Sequence, residues 1–181
     1  MGRESRHRRE TGNTILELAL ILSPLMALLL AIVELSLPIF KKSTLISAVR
    51  EGCRYGITLQ TSYNGTNYSS QTAAIKAVVQ ANAMGFLAGT TGANMIYVNY
   101  YNPNSTPTPF ADVTNGGTGI ANADGNIMQV SIQGYTHQWI APINWFFGGT
   151  RFQVTNGSLP IIAVSADRLE TLPAGSARPS P

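Results

Sequence analysis

With 181 residues, the chain has room for one compact domain, or for one domain and an anchor. Charged residues make up only 12% against 44% hydrophobic, where a typical soluble domain carries about 25% charged, so the composition argues against a freely solvated globule. The net charge of +3 is concentrated at the start, where Arg3, Arg6, Arg8 and Arg9 stand against Glu4 and Glu10; no basic patch with interleaved aromatics follows, which excludes nucleic acid as a direct partner.

Cysteine and histidine usage narrows the chemistry. A single cysteine, Cys53, rules out an intrachain disulfide. With it, His7 and His137 are too few for a zinc-type cluster. There is no Gly-x-Ser-x-Gly elbow, no Walker loop and no His-Glu-x-x-His. Asp112 and Asp124 lack the ligand-dense spacing of a calcium loop. The expectation is a protein without catalytic residues, metal or cofactor.

Residues 1–12 form a basic leader, and an apolar run follows from Ile15 to Phe40, interrupted only by Glu17, Ser23, Glu34 and Ser36. As a helix this run is about 39 Å long, enough to cross a hydrocarbon core of about 30 Å. The arginines before it place the N-terminus in the cytoplasm and the rest of the chain on the other side. A secretory signal has a shorter apolar core and a small-x-small cleavage site; no such triplet lies between Glu34 and Ala48. A plain uncleaved anchor is the remaining alternative.

Glu17 bears on that alternative. A carboxylate near the bilayer interior costs about 2–3 kcal/mol and is usually paired or functional. It either snorkels to the interface or meets a cation. Cleavage after Gly12 would make Asn13 the new N-terminus and Glu17 the fifth residue. The freed amine would then lie about one helical turn from that carboxylate, or meet the carboxylate of a neighbouring subunit.

The Gly-x-x-x-x-Glu spacing between a basic leader and an apolar helix resembles a type IV prepilin processing site. The following stretch is similar to the N-terminal region of TadE-like proteins, pseudopilins of the tight-adherence (Flp) pilus system. The matching pieces are Gly12, Glu17, Pro24, Val33-Glu34, Thr44-Leu45, Arg50-Glu51-Gly52 and Arg54-Tyr55. Flp-type sites usually carry an aromatic after the glutamate, where this chain has Leu18. The resemblance implies processing at Gly12, Asn13 and Glu17 by a membrane-embedded prepilin peptidase. It also implies a minor pilin or assembly factor that works with other pilin-like subunits, and assembly roles for Glu17, Pro24, Glu34, Arg50, Glu51 and Arg54.

Pro24 reads either as a simple bend or as a flexible point for leaving the bilayer. Pro38, Lys41 and Lys42 mark the exit from the membrane. From Ser43 to Gly56 the helix is expected to continue, giving one long helix over 13–56, with Leu45, Ile46, Val49 and Cys53 on an apolar face. Arg50, Glu51 and Arg54 lie on other faces, either solvated or touching a neighbouring subunit. Cys53 reads as a small buried residue.

The remainder, 57–172, reads as an extracytoplasmic α+β domain. A loop over Thr61–Ser70 precedes a helix from Gln71 to Leu87 with Ile75, Val78, Val79, Asn82 and Phe86 in its stripe. Strands are expected over Asn94–Tyr101, Ile127–Thr136 and Pro160–Arg168, forming an antiparallel sheet on helical material. In the second, Met128, Val130 and Ile132 share a face; in the third, Ile162, Val164 and Ala166 do. Long loops cover 102–126 and 138–156. The second holds Trp139, Trp145, Phe146 and Phe147, which either close over the sheet or offer a surface to a partner. His137, beside this cluster, reads as structural. Between Lys76 and Arg151 the only charges are Asp112 and Asp124, which suits a surface that is extracellular or covered. Residues 173–181 read as a disordered tail.

The expected function is that of a minor pilin in the bacterial inner membrane, with its C-terminal domain periplasmic. An uncleaved, membrane-anchored binding module is the alternative.

Overall fold

The structure, a computed structural model, describes residues 4–106, 108, 110–115, 121–139, 158–172 and 177–181, with side chains from Thr14 onward. One helix dominates it. α1 runs from Glu4 to Ile57 and passes through Pro24 and Pro38 without ending. Each proline removes one backbone donor, a local loss that an apolar helix absorbs. The helix closes where Thr58 turns back, its amide and hydroxyl both donating to the Tyr55 carbonyl, and Leu59 takes φ +56.

The two halves of α1 have different surroundings. From Ile15 to Leu30 its large apolar side chains are exposed. From Glu34 onward one stripe is buried: Glu34, Pro38, Leu45, Ala48, Val49, Gly52, Cys53 and Gly56. That spacing of three and four is the helical period, so a single face is covered. The distal domain thus grips only the C-terminal half.

A two-stranded ribbon follows, β1 at Ser62–Tyr63 and β2 at Thr66–Asn67. Asn64 and Gly65 between them have φ +49 and +77, the type I′ hairpin geometry that an Asn-Gly pair favours. This ribbon lies inside the segment expected to be loop. α2 spans Gln71–Asn82, and its N-cap Ser70 accepts from the Ala73 amide. The helix expected to reach Leu87 stops earlier because Met84 and Gly85 take φ +50 and +82. The turn is then held by Gln80, whose side-chain amide donates to the carbonyls of Leu87 and Gly89. A short α3, Gly89–Asn94, leads into the sheet.

β3 (Ile96–Asn102), β4 (Ala111–Asp112), β5 (Ile127–Gln138) and β6 (Ser158–Arg168) form an antiparallel sheet in the order β4-β3-β5-β6. The α+β expectation is met. Met128, Val130 and Ile132 point into the core, as their alternation predicts. On β6, Ile162, Val164 and Ala166 do share a face, but it is the outer one; Ile161 and Ala163 are buried. The sheet's inner face packs against α1 and α2, with Tyr100, Ile96, Leu45, Val49, Ile75 and Val79 in the shared core.

Both α2 and β5 descend along α1 toward its apolar half. The side-chain amide of Gln71 donates to the Gly56 carbonyl at 2.6 Å. Ile75 and Val79 lie against Gly52, and Phe86 stacks edge-on to Phe40, with ring centroids 6.2 Å apart. On β5, Met128 lies beside Gly56 and Cys53, and nine residues on, His137 meets Lys41.

The C-terminal residues are docked. The Gln71 amide donates to the Ser180 carbonyl at 2.9 Å, and Asn122 Nδ2 donates to the Pro179 carbonyl at 2.9 Å. Arg178 bonds the Asn122 carbonyl and the Asp124 carboxylate. Residues 177–181 therefore depart from the disordered tail expected over 173–181. They are held by backbone carbonyls and one arginine, and composition registers apolar content only.

Candidate functional site

The residues expected at a processing site lie in the N-terminal half of α1. Gly12 and Asn13 are within the helix, and their side chains fall outside the described residues. Glu17 is exposed one turn further on. Pro24 sits inside the same exposed stretch. Arg50, Glu51 and Arg54 are exposed on the C-terminal half, away from the stripe that the domain covers. Their spacing puts Arg50 and Arg54 one turn apart, with Glu51 beside them.

Glu34 is placed differently. It is 5% exposed, while its neighbours Val33 and Leu35 are 59% and 51% exposed. It faces its own domain, and one carboxylate oxygen is buried without a hydrogen-bond partner. Two turns along the same face, Lys41 Nζ lies 3.1 Å from His137 Nδ1. An ammonium can only donate, so Nδ1 accepts and the imidazole proton sits on Nε2. That nitrogen is buried and unpartnered. Burial pushes the His137 pKa below its usual value, the Lys41 charge pushes it further down, and the Glu34 carboxylate opposes both. Lys41 also lies 5.7 Å from the centroid of the Phe86 ring, a cation–π contact.

Lys41 and His137 thus tie the end of β5 to α1, with the buried Glu34 carboxylate close enough to act on the imidazole. His137, expected to be structural, is packed between Lys41 and Trp139. Its pairing with Lys41 joins residues ninety-six positions apart, and nothing local in the sequence announces it. Trp139 is half-buried and packs edge-on to His137 at 5.3 Å between centroids. Trp145, Phe146 and Phe147 lie outside the described residues.

Cys53 is 2% exposed, and burial raises its thiol pKa. A buried, protonated thiol is inert, which fits a small core residue. Among the described residues no group of three or more His, Cys, Asp or Glu side chains is placed to hold a metal ion. A shallow cavity of about 470 Å³ lies at the far end of the sheet, lined by Pro103, Phe110, Ile127 and Arg168.

Among the described residues, α1 is the one helix long and apolar enough to cross a membrane. No curated protein and no solved structure matches the chain. A family model does, described as TadE-like protein, and the match covers residues 12–54. The matched stretch runs along α1, from the glycine ahead of the apolar run to the last turns gripped by the domain, and there the chain is similar to TadE-like proteins.

Proposed function

We propose that the chain is a minor pilin or assembly factor of a tight-adherence pilus, processed after Gly12 by a prepilin peptidase and held in the bacterial inner membrane by α1. The observation that carries this reading is the split character of α1. Its N-terminal half projects from the domain with apolar side chains exposed, and the TadE-like match begins at residue 12, ahead of that half. A helix of this kind can be stored in a bilayer and later packed against other helices, since both surroundings are apolar. Glu17 then sets register by pairing with the amine of Asn13 or of a neighbour's N-terminus. Arg50, Glu51 and Arg54, exposed beyond the membrane, supply polar contacts between subunits. The domain itself is periplasmic and performs no catalytic step.

N-terminal sequencing of the protein from native membranes and from sheared surface material tests this. A start at Asn13 is expected. A start at Met1 or Gly2 in every fraction would make the protein a stationary anchor. Glu17→Ala is expected to reduce its recovery in the sheared fraction while leaving the amount in membranes unchanged.

A further inference from the structure

We infer that the pole of the distal domain formed by the α2–α3 turn and the end of β5 is a second membrane contact, resting on the lipid surface around α1. The inference rests on the reading that α1 crosses the bilayer.

Three observations lead there. The first is level. Phe40 is the last residue of the apolar run, and Phe86 stacks on it; α2 and β5 both run down α1 to this height. The pole therefore stands at the depth where the helix leaves the hydrocarbon, the zone in which aromatic and basic side chains anchor membrane proteins.

The second is what the pole presents. Met84 is 68% exposed at the tip of the turn, although φ +50 is an unfavourable conformation for a non-glycine residue. Phe40, edge-on to Phe86, is 51% exposed. Lys42 is exposed at the same height of α1 and free of the contacts to His137 and Phe86 that engage Lys41, so it is the lysine available to a phosphate. Trp139 lies just beyond His137 on the same pole.

The third is where the charges are. Past α1, the charged side chains among the described residues are Lys76, Asp112, Asp124, Asp167, Arg168, Glu170 and Arg178. Asp112 pairs with the far end of β3, and Asp167 and Arg168 pair with the start of β5. Asp124 and Arg178 bond each other, and Leu169, next to Glu170, bonds Asn126, also at that end. Lys76 is midway along α2. None of them lies at the Met84 pole. The charges described at that pole, Glu34, Lys41 and Lys42, belong to α1 itself; on the described residues of the domain, a face turned to water has no reason to lack charge. One facing headgroups and acyl chains does, because each charge there would have to be desolvated.

The test uses the full chain in vesicles of phosphatidylethanolamine and phosphatidylglycerol. Single nitroxide labels are placed at Met84→Cys, Thr66→Cys and Leu29→Cys, and relaxation by oxygen and by a water-soluble nickel complex is measured. Cys53 is buried, and the unsubstituted chain gives the background labelling. Thr66, on the ribbon at the far end, reports water; Leu29 reports the bilayer. At Met84→Cys, nickel accessibility several-fold below that at Thr66→Cys, with raised oxygen accessibility, is expected. Water-like values at Met84→Cys with Leu29→Cys in lipid would overturn the inference and leave the spanning helix intact. Low accessibility to both reagents would mean a protein cover, which also overturns it. Water-like values at Leu29→Cys would remove the spanning helix, and the inference with it.

Discussion

Gly52 lets α1 and α2 approach closely, and a side chain placed there measures how tightly the two helices pack. A Cβ at this position would lie 2.3 Å from Val79 Cγ2, where carbon atoms in contact sit about 3.5–4.0 Å apart. Gly52→Ala gains about 1 kcal/mol of helix propensity, while forcing a methyl into a filled site costs about 1–3 kcal/mol. Val79 is fully buried and β-branched, so it cannot rotate away. The net expectation is a loss of up to about 2 kcal/mol. Val79→Ala alone should cost about 2 kcal/mol, for its two lost methyls and the space they leave. In combination the new alanine methyl occupies that space, so the double variant should be more stable than the sum of the two by at least about 1 kcal/mol. Gly56→Ala is the control. Its Cβ would meet the Met128 tip at 2.4 and 2.6 Å and Ile75 Cδ1 at 2.8 Å; Met128 is unbranched and adapts more readily than Val79, so the loss should be smaller than for Gly52→Ala. The assay is urea unfolding in detergent micelles, followed by near-ultraviolet circular dichroism. Additivity of Gly52→Ala and Val79→Ala within about 0.5 kcal/mol would refute the close approach of the two helices.

Three further outcomes are expected. Because the His137 pKa is lowered in the folded state, its contribution is fully present above about pH 6.5 and is lost as the pH falls toward the folded value, since the unfolded chain then binds the proton first; unfolding midpoints between pH 5 and 7.5 should show this slope, and His137→Gln should flatten it. Tyr100 is buried and its pKa is pushed up to about 12, so an absorbance titration should show a late phenol ionisation step, and Tyr100→Phe should remove it. Gln71→Ala should cost about 1–3 kcal/mol, since it removes two buried hydrogen bonds, one to the Gly56 carbonyl, which keeps the Leu59 amide, and one from Asn122, which keeps the Pro179 carbonyl; Arg178→Ala, which breaks a partly exposed pair with Asp124, should cost less than about 1 kcal/mol by the same unfolding assay.

The long helix was legible because it needs only local information. Apolar content over Ile15–Phe40 and a period of three to four from Ser43 onward specify α1 whatever packs on it. β5 was legible for a similar reason: its alternation is strict through Ile132. β6 was ambiguous because Ile161, Ile162, Ala163 and Val164 are all apolar, and only pairing decides which set faces the core. The ladder to β5 is irregular between Ile132 and Tyr135, and this shift lets one residue pass without a partner, which alternation alone does not reveal. The end of α2 hinged on Met84 entering the left-handed region, which propensity assigns to glycine or asparagine. The docked C-terminus hinged on carbonyls meeting Gln71 and Asn122, two polar residues that composition places outside the core.

The candidate site divides along the same line. Spacing alone set out Gly12, Glu17 and the Arg50-Glu51-Arg54 group, because each is defined by its place along one helix. Glu34 shares that helix, yet its side chain turns toward the domain, and its environment is created by Lys41 and by a histidine near the end of β5. This changes which charges can act between subunits. A carboxylate 5% exposed inside its own chain offers little to a neighbour without opening the junction, whereas Arg50, Glu51 and Arg54 stand ready on the uncovered face. Contacts above the membrane should therefore depend on the two arginines and Glu51. Glu34 instead acts within its own chain, where its carboxylate favours the protonated imidazole of His137 against the effects of burial and of Lys41.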